Sequence, residues 1–526
     1  MIERLSLFKD SKSVRARFFT TLIANLIRFV LSFLSGLFIA RALGPSGFGN
    51  FNFLLMSFAS ISTLLDMGTS NAFYTFISKR KRASAFYLYY ISWTALQFII
   101  AVLLATVLLP EVLRQKIWLG HETGLVLLSL LASFGMNQLW QSVSQAGESI
   151  RATIIVQTYN VVLSLVYVLA ILLMIKINVL TVSNLFIFIG GLYIFFAVLL
   201  SRRLKEGLLA KAVGAESLGS VFKEFKAYCY PLIAYSWMNF AYMFADNWLL
   251  QRFGGAEEQG YYSIGYRFTF LSSIATASML QVFWKETAEA VEKHDYEGIK
   301  RLYFRVSRIL YFLSALLSCF LIPFSRELLV WLVGPSYEGA WIALSIILLF
   351  PLIQAIGQIA HTVLLAGGHT VIYRNIGVTF MAISIPLTYL ILAPPQGAYL
   401  GIPGLGLASA GMALKIVVLN FIGTNIMVYI ISRMNKWRFD FWYQLVAVAI
   451  LLLCAFGAKT VTGWLLSSLF VTVSIPLLIF NSLLLYLLGV VAVIYLYPTL
   501  TGVRRDEFKT MLDNVRGVLT FGRTGR

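Results

Sequence analysis

The chain has 526 residues, of which 59% are hydrophobic and only 12% charged, and it carries a formal net charge of +19. That balance excludes an ordinary soluble protein, and apolar runs of about 20 residues, each able to cross a bilayer, recur along nearly its whole length. An all-α polytopic membrane protein is expected. Its three cysteines, Cys229, Cys319 and Cys454, lie in or beside apolar runs, and His121, His294, His361 and His369 are scattered. No disulfide framework, metal site, catalytic residue or cofactor is therefore expected.

Residues 1–18 carry Arg4, Lys9, Lys12, Arg15 and Arg17 and read as a cytosolic tail. The run that follows is too long for the core of a signal peptide and contains Arg28, so it is read as a retained span. Fourteen spans are expected: 19–40, 51–77, 85–109, 123–145, 153–175, 182–201, 229–250, 261–284, 306–323, 340–365, 372–393, 405–431, 441–458 and 471–497. With a cytosolic N-terminus, 32 of the 42 Lys and Arg fall on the cytosolic side, including Lys79-Arg-Lys-Arg82 and six in the linker 202–228. The positive-inside rule then puts both termini in the cytosol. The same distribution accounts for the net charge without a nucleic-acid partner.

Between the first two spans lies Arg41-Ala-Leu-Gly44-Pro-Ser-Gly-Phe-Gly49-Asn-Phe51, and 211 positions later the chain reads Arg252-Phe-Gly-Gly255-Ala-Glu-Glu-Gln-Gly260-Tyr-Tyr262. Both are Arg-x2-Gly-x4-Gly-x-aromatic, which marks an internal repeat with a period of six spans. An even period keeps both copies in one orientation, related by a pseudo-two-fold along the membrane normal. The expected architecture is a six-helix N-lobe (19–201), a cytosolic linker (202–228), a six-helix C-lobe (229–431) and two extra helices (441–497). A basic amphipathic tail (499–526) closes the chain, and Gly49 and Gly260 are expected to supply positive φ in their turns.

Polar residues at helical spacing form stripes on several spans. They are Asn25, Arg28, Ser32 and Ser35 on the first, and Ser60, Thr63, Asp66 and Ser70 on the second. The fourth has Gln138, Gln141, Gln145 and Glu148, and the fifth Gln157, Asn160 and Ser164. The seventh has Tyr235, Asn239, Tyr242 and Asp246, and the tenth Gln354, Gln358 and His361. One such stripe is explained by hydrogen bonds between membrane helices. Six favour an aqueous cavity of amides and hydroxyls suited to a sugar-like ligand. Arg28 is ~15 Å inside its span, Lys415 is similarly deep, and Arg267 lies six residues in, so an anion such as a phosphate fits the interior. Asp66 and Asp246 are the acids available for ion coupling.

At this point the sequence resembles the multidrug/oligosaccharidyl-lipid/polysaccharide flippase superfamily, in its polysaccharide-transporter (Wzx-type) branch. The resemblance rests on Ala40-Arg-Ala-Leu-Gly-Pro-Ser-Gly-Phe-Gly-Asn-Phe51 followed by Leu64-Leu-Asp-Met-Gly-Thr-Ser70. Trp331-Leu-Val-Gly-Pro-Ser-Tyr-Glu-Gly-Ala340 and Gly401-Ile-Pro-Gly-Leu-Gly-Leu-Ala-Ser-Ala410 strengthen it. It covers almost the whole chain through loose glycine patterns. It implies a two-lobed, V-shaped transporter that flips undecaprenyl-diphosphate-linked oligosaccharide across a bacterial cytoplasmic (inner) membrane by alternating access. The cargo is then an O-antigen or another surface polysaccharide unit destined for lipopolysaccharide or similar polymers, and polysaccharide polymerase or chain-length proteins are the implied partners. In the related lipid II flippases, basic residues on the first and eighth helices line the cavity, and Arg28 and Arg267 lie on the corresponding helices. The terminal pair resembles helices that shelter the prenyl tail.

Three rival readings fit the sequence less well. A drug/cation antiporter of the same fold calls for an acidic pocket, whereas this interior is slightly cationic. A membrane polymerase or ligase calls for catalytic residues on large outer loops, and the outer loops here are short. A non-transporting scaffold gives no use to the polar stripes.

Overall fold

The structure is a computed structural model, and it describes residues 14–209, 216–293, 295–397, 401–469 and 472–502. The first part of the basic N-terminal tail, the middle of the linker and most of the basic C-terminal tail lie outside the described residues. Among the described residues there is no strand, and eighteen α-helices follow one another. The first nine are α1 (Val14–Asp66), α2 (Thr69–Lys79), α3 (Ser84–Thr106), α4 (Glu111–Ile117), α5 (Thr123–Phe134), α6 (Gln141–Ser149), α7 (Thr153–Lys176), α8 (Val182–Leu209) and α9 (Leu218–Cys229). The rest are α10 (Ile233–Glu292), α11 (Tyr296–Leu321), α12 (Ser325–Leu332), α13 (Trp341–Ile347), α14 (Phe350–Ala366), α15 (Thr370–Leu392), α16 (Ala408–Asn435), α17 (Phe441–Leu469) and α18 (Ile475–Leu496). Eleven segments of the described residues are long and apolar enough to cross a membrane.

Each glycine junction is a kink between two helices. α1 covers the first expected span and most of the second, α10 covers most of the seventh and all of the eighth, and each is two helices joined across a kink at one non-helical residue, Gly44 (φ 67°) and Gly255 (φ 82°), the first glycine of each repeat motif. Positive φ therefore belongs to Gly44 and Gly255, not to Gly49 and Gly260 as expected. Those two serve a close crossing instead. A Cβ on Gly49 would lie 1.7 Å from the Ala256 carbonyl oxygen, and one on Gly260 would lie 2.1 Å from that of Pro45. Pro45 and Ala256 are equivalent positions of the repeat, so the contact is reciprocal, and only a residue without a side chain admits it.

A second difference concerns the span expected at 51–77. It breaks at Met67 (φ 47°) and Gly68 (φ 88°), and α2 starts afresh at Thr69. Gly68 is pressed by the Leu232 side chain, which would lie 2.7 Å from an added Cβ. The physical cause sits just before the break, where Asp66 offers its carboxylate to the donors that a helix start leaves open.

The chain divides into two compact units, one of residues 1–264 with 381–409, the other of 265–380 with 410–526. In the first unit α1 packs on α7 and α5, and α5 on α8. The linker, read from sequence as lacking an apolar span, contributes α9, whose Val221, Phe225 and Cys229 are buried on Phe76, Phe86 and Tyr90. Arg82, 1% exposed, locks that packing through ion pairs to Glu216 and Glu224 and lies 4.3 Å over the Phe86 ring. In the second unit α11 packs on α14 and α17, and α17 on α18, around Phe320, Phe324, Leu352, Leu451 and Tyr486.

Candidate functional site

Arg28 sits on α1 in the first unit, half-buried, one turn beyond the exposed Asn25. It makes no ion pair with a carboxylate among the described residues, and Tyr193 on α8 is the group close enough to interact with its charge. Further along the same stripe Ser32 is exposed and Ser35 is buried, its hydroxyl donating to the Ser32 carbonyl at 2.9 Å.

Asp66 lies at the mouth of the helix break. Its carboxylate accepts from the Gly68 and Ser70 amides at 3.2 and 3.0 Å, and from the Thr69 and Ser70 hydroxyls at 2.8 and 2.7 Å. From there a polar chain runs inward. The Gln97 amide donates to Thr69 Oγ1 at 3.4 Å, and Gln138 donates to Gln97 Oε1 at 3.1 Å. A branch passes from Ser70 to the Tyr90 hydroxyl at 3.4 Å, which lies 2.8 Å from Ser142 Oγ. Gln97 and Gln138 are both buried.

Gln138 and Gln141 do not share a face, although three residues separate them. Gly135–Trp140 is a π-helical turn, and its wider winding turns Gln138 inward while Gln141 is exposed. The rest of that region is also internally bonded. Trp140 Nε1 donates to Asn160 Oδ1 at 3.1 Å, and Thr153 and Gln157 donate to the Glu148 carboxylate at 2.6 and 3.2 Å.

On α10, Asn239 is half-buried with its amide 3.5 Å from Met243 Sδ. Asp246 is 6% exposed and accepts from the fully buried Thr388 hydroxyl at 2.6 Å. Its neighbour Asn247 was not singled out by sequence reasoning. It donates to the Phe53 carbonyl at 2.9 Å and Ser57 Oγ at 3.1 Å, and accepts from Gln259 at 2.7 Å. Gln251 donates to Asn50 at 2.8 Å. The available signal was the flanking of both glycine junctions by amides that no periodicity requires.

In the second unit Arg267 is half-buried on α10 and Lys415 is 1% exposed on α16; neither is without a partner. Gln354 and Gln358 on α14 are half-buried, and His361 meets the Tyr373 ring edge-on at 5.0 Å. A buried amide pair, Asn425 with Gln444 at 2.9 Å, went unnoticed in the sequence because its members lie on different helices. Arg28 and Asp66 therefore belong to the first unit, and Arg267 and Lys415 to the second.

A family profile described as "Polysaccharide biosynthesis protein" matches residues 14–284. No curated protein matches the sequence. Among solved structures, the chain is similar to the lipid II flippase MurJ in an inward closed conformation, with 14% identity, 90% of this chain and 98% of that chain covered, and a TM-score of 0.65. It is also similar to a MOP superfamily transporter from Pyrococcus furiosus, with 14% identity, 79% and 94% coverage and a TM-score of 0.50. A Vibrio cholerae MATE transporter gives 15% identity, 81% and 97% coverage and the same TM-score. At these identities the likeness establishes the fold.

Proposed function

We propose a flippase function on one premise: the chain belongs to the polysaccharide biosynthesis protein family. The cargo we assign is an undecaprenyl-diphosphate-linked oligosaccharide, an O-antigen or other surface polysaccharide repeat unit. It moves from the inner to the outer leaflet of a bacterial inner membrane by alternating access. Both chain termini lie in the cytosol, and no bond is made or broken, so the protein is a transporter and not an enzyme.

The observation that carries this reading is Arg28. An arginine inside an apolar span costs about 2.5–3.5 kcal/mol to insert, and no carboxylate among the described residues offsets it. A lipid diphosphate supplies the missing negative charge, and the planar guanidinium engages two of its oxygens where an ammonium offers a point charge. Arg267 and Lys415 are assigned the same role in the second unit. Asn25, Gln138, Gln141, Asn239, Gln354 and Gln358 are assigned to the sugars, and of these only Gln138 is buried. Asp66 and Asp246 are the proposed coupling acids, each already hydrogen-bonded.

The test is complementation of a flippase-null strain, scored by surface glycan and by protein abundance. Arg28→Ala is expected to abolish export at normal abundance, and Arg28→Lys to keep a fraction. Wild-type export by a well-expressed Arg28→Ala/Arg267→Ala double variant would remove the support for an anion site.

A further inference from the structure

We propose that a recess in the second unit, where α11, α16 and α17 meet, holds the phosphate headgroup of an anionic membrane lipid. Part of the recess lining is polar. Arg308 donates to the Asp440 carboxylate at 2.9 Å and to the Thr499 carbonyl at 3.3 Å, so its charge is met internally. Arg438 lines the same recess, is exposed and pairs with no carboxylate among the described residues. Counting Arg308, Arg438 and Asp440, the recess keeps one net positive charge. Ser307 adds a buried hydroxyl with no hydrogen-bond partner among the described residues. That hydroxyl is closed to water as it stands, so it meets an anion oxygen beside Arg438 after a rotamer change of Ser307, which the free-energy cost of an unpaired buried hydroxyl favours.

Phe304, Ile356 and Val428 give the recess an apolar lining as well. A free inorganic anion gains nothing from such a lining, whereas a lipid brings glycerol and acyl carbons to cover it. The surroundings place the recess at headgroup depth. Tyr443 and Gln444 of its lining sit in the first turn of α17, next in sequence to the exposed Trp442, and its Tyr303 ring lies 5.2 Å from Trp437; aromatic residues of this kind collect at membrane–water boundaries. The helix ends around it carry Arg433 and Lys436, as suits the leaflet rich in anionic lipid.

The test uses the full chain in phosphatidylcholine nanodiscs titrated with phosphatidylglycerol, with bound lipid counted by native mass spectrometry. Arg438→Gln is expected to weaken the tightest phosphatidylglycerol about tenfold, and Ser307→Ala about threefold, with thermal unfolding unchanged for the exposed Arg438. Arg433→Gln, an exposed arginine outside the recess, is expected to weaken that binding about twofold at most. Equal retention by Arg438→Gln and the parent chain overturns the proposal. So does an equal loss in Arg433→Gln, which assigns binding to diffuse charge. Displacement of the lipid by inorganic phosphate at the same concentration overturns the choice of a lipid as the source of the anion.

Discussion

At the scale of single residues, the charged and titratable groups fall into those the fold satisfies and those it leaves exposed to a task. Arg82 is the satisfied kind, with two carboxylates and an aromatic face around one buried guanidinium. Removing it leaves Glu216 and Glu224 facing each other near Phe86, so Arg82→Ala is expected to cost about 3–5 kcal/mol and to loosen α9, seen as faster proteolysis within the linker. His121, between α4 and α5, is different. Its ring stacks on Phe53 at 5.9 Å, and burial pushes its pKa below the usual histidine value. The folded chain thus resists a proton that the unfolded chain accepts. Stability is unaffected above about pH 6.5, where both states are neutral, and is lost as pH falls below it. His121→Gln is expected to flatten the fall in unfolding temperature between pH 6.5 and 5; an unchanged fall would assign it to other groups. The sequence showed the depth of Arg28 and the presence of Asp66, because hydropathy sets depth. It did not show that Asp66 caps a new helix, because that depends on Met67 and Gly68 adopting positive φ.

At the scale of elements, the repeat was legible because it is a matter of spacing, but the work done by its glycines was not. The pattern Arg-x2-Gly-x4-Gly-x-aromatic states where small residues are needed, and only the three-dimensional arrangement separates the bend at Gly44 and Gly255 from the crossing at Gly49 and Gly260. Gly49→Ala and Gly260→Ala push a methyl group into a carbonyl oxygen and are each expected to cost about 1–3 kcal/mol or more. Gly47→Ala, whose Cβ would meet only Leu43 Cβ at 3.1 Å, is expected to be tolerated better. Thermal unfolding of the three purified variants checks the order, and a Gly49→Ala protein as stable as Gly47→Ala would contradict the crossing. The polar stripes were legible as stripes, yet periodicity assumes an unbroken α-helix. The π turn at 135–140 and the break at 67–68 violate that assumption, so Gln138 and Asp66 face partners that helical spacing did not predict.

At the scale of the whole molecule, hydropathy and charge bias carry most of the information, since a bilayer forces backbone groups to be satisfied within each helix. Each of the fourteen expected spans overlaps a helix among the described residues, the second broken at Met67–Gly68, and two pairs are joined at a kink of one residue. What the sequence left unread was the short amphipathic helix in the linker, since twelve residues with a modest apolar face look like any basic loop. The orientation leads to the final prediction. On the proposed orientation, with 32 of 42 basic residues on one side, α9 is expected in the cytosol and α4 on the opposite face. Lys223 on α9 and Gln115 on α4 are both exposed, so a cysteine at either position is open to a reagent on its own side. In a chain with Cys229, Cys319 and Cys454 replaced, Gln115→Cys is expected to react with a membrane-impermeant maleimide in intact spheroplasts. Lys223→Cys is expected to react only after the membrane is opened. The reverse pattern would invert the topology and with it the leaflet from which the cargo is taken. Labelling of both positions in intact spheroplasts would instead place α4 and α9 on one side, which the three expected spans between them forbid, and would overturn the span count.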